Sequence, residues 1–122
     1  MEEDLFDVCF ASNLYQLLGP GDREKFRLKT QSLLGEGGLL FLSALSVNDR
    51  EEFGKGAPVP GETNSFDGVR YCHFFTRQEI LDDFRLLDVH ELFEHSYDEP
   101  HENGPTHHHK SWMLVGESKP LN

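Results

Sequence analysis

The stretch LFDVCFASNLYQLL, residues 5–18, decides how the rest of the chain is read. Its first seven residues are nearly all apolar, broken only by Asp7. A short run of this kind fits a parallel strand that is covered on both faces. Ser12 and Asn13 are placed to cap the next element. Leu14, Leu17 and Leu18, spaced i, i+3 and i+4, read as a short helical turn broken by Gly19-Pro20-Gly21. A strand buried on both faces normally sits mid-sheet, yet no strand precedes this one in the sequence.

A partner lies downstream. Residues 22–34, DREKFRLKTQSLL, read as an amphipathic helix with Phe26, Thr30, Leu33 and Leu34 on one face and Asp22 near the positive end of the dipole. Gly35 ends it, and Gly37-Gly38 turn the chain. GLLFLSAL, residues 38–45, is a second apolar strand. Strand, helix, strand with short connections implies a right-handed parallel crossover.

Residues 46–75 show little periodicity and carry Gly54, Gly56, Pro58, Pro60, Gly61 and Gly68. Structureless loops longer than ~12–15 residues are usually functional or disordered. Disordered segments are poor in aromatics, whereas this one holds Phe53, Phe66, Tyr71, Phe74 and Phe75. It is therefore expected to fold over something as a lid. Thr76 and Glu79 then fit a capping box, with Phe75 and Ile80 as a hydrophobic staple. Ile80, Leu81, Phe84 and Leu87 make the buried face of that helix. Residues 88–100 and 107–118 read as strands joined by the loop signal PHENGPT, residues 100–106, and so as an antiparallel hairpin. The expected architecture is one incomplete α/β domain over residues 1–122. Two parallel strands and a closing antiparallel hairpin make a mixed four-stranded sheet with flanking helices.

Charge narrows the partners. There are 22 acidic and 11 basic residues, a formal net charge of −11. That opposes binding to nucleic-acid phosphates and docking on anionic membranes. No apolar run approaches the ~20 residues that span a bilayer. Cys9 and Cys72 are the only cysteines and read as small buried apolar residues. With no export signal at the N-terminus, they point to a reducing, cytoplasmic setting.

The element order resembles the C-terminal half of class I S-adenosylmethionine-dependent methyltransferases, a Rossmann-like fold. FDVCFASNLYQLL looks like the fourth strand of that fold and its continuation. LLGEGGLLFLSAL looks like the family's helix end, glycine-pair turn and fifth strand, with Glu36 where the family has a proline. TRQEILDDF looks like the helix before the closing hairpin. FGKGAPVPGETNSF, YCHFFTRQE and HHHKSWMLVGE are similar to a bacterial group of small-molecule methyltransferases, with tellurite-resistance and thiopurine types more distant. The likeness runs from about Asp4 to Glu117. The family's glycine-rich turn after the first strand, which lets the backbone approach the cofactor, has no counterpart here. Nor does its ribose-binding acidic residue. The resemblance therefore implies half of an enzyme, transferring a methyl group from S-adenosylmethionine to a small-molecule acceptor. The missing N-terminal half would lie against the first strand.

The resemblance also places residues. Ser12, Asn13, Leu14 and Tyr15 follow the carboxyl end of a parallel strand, where ligands of open α/β sheets bind, and would border the cofactor. Asn48 and Asp49 follow the second strand at the same edge. Phe53, Phe66 and Tyr71 belong to the lid. His73 is the candidate general base, since a histidine titrates near neutral pH. His107 and His109 share one face of a strand and His108 takes the other, with His95 and His101 near them across the hairpin. No fixed-spacing metal signature accompanies them, so no metal is expected. His109 and Trp112 are read as lining the hairpin end, beside the lid and against a helix. The competing reading is a non-catalytic remnant or interaction module that pairs through residues 5–11, because an unpaired strand edge invites another chain.

Overall fold

The structure, a computed structural model, describes residues 5–100 and 104–119, with the backbone alone at Glu99. Asp4 and His101 lie outside the described residues. Strand β1 (Phe6–Ser12) leads through a single 3-10 turn (Tyr15–Leu17) to helix α1 (Pro20–Leu33) and strand β2 (Leu34–Leu45). Three short strands follow: β3 (Ala57–Pro58), β4 (Ser65–Asp67) and β5 (Tyr71–His73). Helix α2 (Arg77–Asp83) and the long hairpin β6 (Leu87–Glu99) and β7 (His107–Ser118) complete the chain.

The main sheet has the order β1-β2-β7-β6. β1 and β2 are parallel, and β7 is antiparallel to both of its neighbours. This is the mixed α/β sheet expected from the sequence. Helix α1 starts with Pro20 in its first turn, where a missing N–H is harmless. It ends at Leu33, and β2 begins directly at Leu34 rather than at Gly38. The glycine pair instead serves an irregularity inside the β1–β2 ladder, whose register shifts between Phe6 and Val8. Gly37 has φ 78°, and a Cβ on Gly38 would lie 2.9 Å from the Gly35 carbonyl oxygen and 3.1 Å from that of Phe6. Only glycine fits that backbone approach.

One sheet face carries the core. Ala11 on β1, Leu40, Leu42 and Ala44 on β2, and Leu114 on β7 are buried against Tyr15, Phe75, Ile80, Phe84 and Leu87. Each large side chain buried this way contributes roughly 1.5–3 kcal/mol. Among the described residues no helix covers the reverse face. β1 was expected to be buried on both faces, but Phe6, Val8 and Phe10 are 55%, 42% and 76% exposed. It is an edge strand, and both helices lie on its other side.

The lid segment is not structureless. β3, β4 and β5 pair as a small antiparallel sheet. Phe53, Phe66 and Phe74 pack edge to face beneath it, with ring centroids 5.1–6.0 Å apart. Hydrogen bonds at the end of β2 tie it to the main sheet: Phe75 N–H donates to the Leu45 carbonyl (2.9 Å) and Val47 N–H to the Phe75 carbonyl (3.0 Å). Thr76 caps α2 by accepting from the Glu79 N–H at 3.1 Å.

Candidate functional site

A cleft of about 800 Å³ opens at the carboxyl ends of β1 and β2. Asn13, Gln16 and Leu45 form its sheet side, Cys72 and Phe74 its lid side, and Tyr97, His107 and His109 its hairpin side. The edge of an open α/β sheet at its strands' carboxyl ends is where such folds bind ligands.

The turn after β1 is built by short polar side chains. Asn13 has φ 56°, a left-handed conformation that asparagine tolerates. Its N–H donates to Ser43 Oγ at 3.2 Å, and Ser12 Oγ lies 3.1 Å from the same hydroxyl. Gln16 is 5% exposed, and its Oε1 is a buried acceptor with no hydrogen-bond partner. Buried acceptors are nearly always paired, and leaving one bare costs about 1–3 kcal/mol. Leu14 stands exposed beside the turn. Tyr15 does not face the cleft. It is fully buried, stacked on Phe75 at 5.2 Å, and its hydroxyl donates to Asp83 Oδ2 and accepts from Arg27 Nη1, both at 2.7 Å. Burial pushes its phenol well above the usual range.

The loop after β2 organises the hairpin side. Asp49 is completely buried. Its Oδ1 accepts from the Glu52 N–H at 3.0 Å, and its Oδ2 from the Lys110 N–H at 3.2 Å. His109 Nδ1 lies 3.1 Å from the same Oδ2. Asp49 thus fixes the orientation of the His109 ring. Asn48 turns away from the cleft, and its side-chain amide donates to Glu94 at 2.9 Å. Burial would raise the Glu94 carboxyl, but hydrogen bonds from Ser46 and Asn48 outweigh it and hold the group below the usual range.

The expected residues thus separate. Asn13 and His109 border the cleft, and Asp49 sits behind His109. Phe53 and Phe66 pack with Phe74 at the small sheet of β3, β4 and β5. Trp112 lies against the core, and its indole N–H donates to the Phe75 carbonyl at 2.8 Å. His73 is buried at 4% exposure, its Nδ1 2.6 Å from Ser65 Oγ and its Nε2 2.7 Å from Glu79 Oε2. With both nitrogens engaged it ties β4, β5 and α2 together. Tyr71 does the same for the lid and α1: its hydroxyl donates to Glu62 at 2.6 Å and accepts from Arg23 at 2.9 Å. Gln16 and Tyr97 were not anticipated. Tyr97 was legible in principle, since it pairs directly with His109 across the hairpin. Cys72, also in the cleft, has its thiol pushed up to about 11 by burial. Among the described residues no group of three or more His, Cys, Asp or Glu side chains could hold a metal ion, and no helix is long and apolar enough to cross a membrane.

No family model matches the sequence, and no curated protein matches it either. Solved structures do. A SAM-dependent methyltransferase from Methanosarcina mazei aligns over 95% of this chain and 60% of its own, with a TM-score of 0.73 and 14% identity. TehB from Haemophilus influenzae aligns over 97% and 37%, with a TM-score of 0.63 and 14% identity. The 1,6-didemethyltoxoflavin-N1-methyltransferase of Burkholderia thailandensis, solved with its substrate and S-adenosylhomocysteine, aligns over 98% and 47%, with a TM-score of 0.63 and 14% identity. The chain therefore spans between 37% and 60% of the length of these structures. Its parallel pair, crossover helix and closing hairpin give it the fold of the C-terminal half of a class I SAM-dependent methyltransferase.

Proposed function

We propose that this chain contributes the C-terminal half of an S-adenosylmethionine-dependent methyltransferase acting on a small molecule, in a cytoplasmic setting. The observation that carries the reading is the cleft at the carboxyl ends of the parallel strands, lined by Gln16, whose buried Oε1 has no hydrogen-bond partner among the described residues. When bound, S-adenosylmethionine supplies a methyl group already activated on a sulfonium. The residues here fit one side of such a ligand. Gln16 Oε1 would accept from an amine, and Asn13, with Ser12 and Leu14 beside it, would border the ligand across the turn. Tyr15 would fix that turn from the core side. Asp49 and His109 would flank the acceptor, and the small sheet of residues 46–75 would cover it.

The other side of the cofactor would come from a segment with its own parallel strands and amphipathic helices. The free edge of β1 can accept a strand, and the uncovered face carrying Phe6, Val8 and Phe10 can accept helices. His73 serves here as a tie within the lid rather than as a base, because both of its nitrogens are held. The same exposed edge favours a second reading, a non-catalytic module pairing through residues 5–11.

Titration of S-adenosylhomocysteine, followed by amide NMR, tests the leading reading. One wall of a site is expected to bind at about millimolar strength, roughly 4 kcal/mol. Shifts should concentrate at Ser12–Leu17 and Leu45–Asp49. No movement of either segment at millimolar ligand sinks the reading.

A further inference from the structure

We propose that the cleft takes a flat aromatic or heteroaromatic acceptor, stacked against a ladder of rings on the hairpin. This deepens the methyltransferase reading and rests on it. The ladder runs along the uncovered side of β6 and β7. His95 and Tyr97 stack at 5.7 Å with 15° between their planes. Tyr97 meets His109 across the strands at 5.4 Å and 40°, and His109 stacks on His107 at 6.2 Å and 10°. The hairpin register produces this order. Tyr97 and His109 are direct partners, and residues two apart on a strand share a face.

Three features make the ladder a binding wall rather than surface decoration. Tyr97, His107 and His109 all line the cleft. His109 is oriented by the fully buried Asp49, so its ring is set before a ligand arrives and little freedom is lost on binding. On the other side Cys72 and Phe74 give an apolar patch, and Glu52, Lys55 and Arg70 also line the cleft. A slot with rings on one side and an apolar patch among charged side chains on the other matches a planar ligand that carries polar substituents. Aliphatic acceptors gain burial there but not the stacking geometry, in which each aromatic pair adds to area burial.

The test compares 2-naphthol with decahydro-2-naphthol, which has the same carbon skeleton and hydroxyl but no π face. Binding to the whole chain is followed through the ring protons of Tyr97, His107 and His109. The expected result is ~10-fold tighter binding of 2-naphthol, the effect of about two stacked rings, with upfield shifts on those protons. Tyr97→Leu should abolish the preference and Tyr97→Phe should keep it, with thermal unfolding checking that both variants fold. Equal affinity for the two probes, shifts elsewhere than the ladder, or a preference that survives Tyr97→Leu overturns the proposal. S-Adenosylhomocysteine is titrated into the same samples. If it moves Ser12–Leu17 while 2-naphthol shows no preference, only the aromatic proposal falls. If 2-naphthol stacks while S-adenosylhomocysteine moves nothing, the ladder is a binding wall and the methyltransferase reading falls.

Discussion

The two faces of the main sheet are built from the same four strands and much the same residues. On one, Leu40, Leu42, Ala44 and Leu114 are at most 2% exposed. On the other, Phe10 is 76% exposed although its ring stacks on Phe41 at 4.9 Å, and Phe93 is 46% exposed. The first face has α1, α2 and the Tyr15 turn against it, whereas the second has no helix on it among the described residues and meets only the loop that reaches His107 and His109. Apolar composition therefore marks a face as able to be buried and does not say whether this chain buries it. Monomeric proteins seldom leave a contiguous patch of this kind bare, and where they do it marks an interaction site.

The contrast can be broken most directly by trimming each face. Leu42→Ala should lower stability by ~2–5 kcal/mol, through lost transfer energy and a cavity. Phe10→Ala should change it by no more than about 1 kcal/mol, since that ring is mostly in solvent already. Equal losses in urea titrations would mean that the second face is covered in solution. Smaller, and on the cleft side, is Cys72. A thiol moved from 9.0 to about 11 carries ~100-fold less thiolate at pH 8. Its alkylation by iodoacetamide should be slower by about that factor than in the unfolded chain. The folded pKa is the higher one. Its contribution to stability is therefore present below pH 9.0 and is lost as the pH rises towards about 11. Alkylation at the unfolded rate would show the lid standing open.

Next comes association. Self-pairing through β1 should be visible by sedimentation at high concentration, and Phe10→Lys should raise its dissociation constant by at least ~10-fold, by placing a charge where a ring would be buried. A wild-type chain that stays monomeric at high concentration removes the pairing reading and leaves docking of a separate half. The smallest effect concerns Glu94. Ser46→Ala should return its titration towards the usual carboxylate range when followed by NMR, and unchanged titration would mean that Asn48 alone holds it. The folded pKa is the lower one, so this group's contribution is present above the usual carboxylate pKa and fades as the pH falls through the lowered value.

Much of the fold was legible locally. The bounds of β7 and the pairing of the hairpin follow from two strand-like segments and the turn signal between them, and the cap of α2 from Thr76 and Glu79. These features depend on neighbours a few residues apart. The lid was less legible, because strands of two or three residues such as β3 to β5 are too short to carry a period. Asn13 borders the cleft at the place after a strand where the sequence put it, whereas Tyr15 lies in the core. A tyrosine one helical turn from a ligand edge and one in the core have the same local sequence, and only the packing of Phe26, Phe75 and Phe84 around it decides.

By itself the sequence determined the elements of the main sheet and its helices, the parallel pair, the closing hairpin and the likeness to half of a methyltransferase, because these rest on apolar runs, caps, turns and motifs close together in the chain. Only the tertiary structure decided that β1 has one bare face, that both nitrogens of His73 are held and that Asp49 stands behind His109. Those facts depend on which surfaces meet across the fold. Contacts between residues 60 apart in the chain, such as Asp49 and His109, leave no mark in either segment alone.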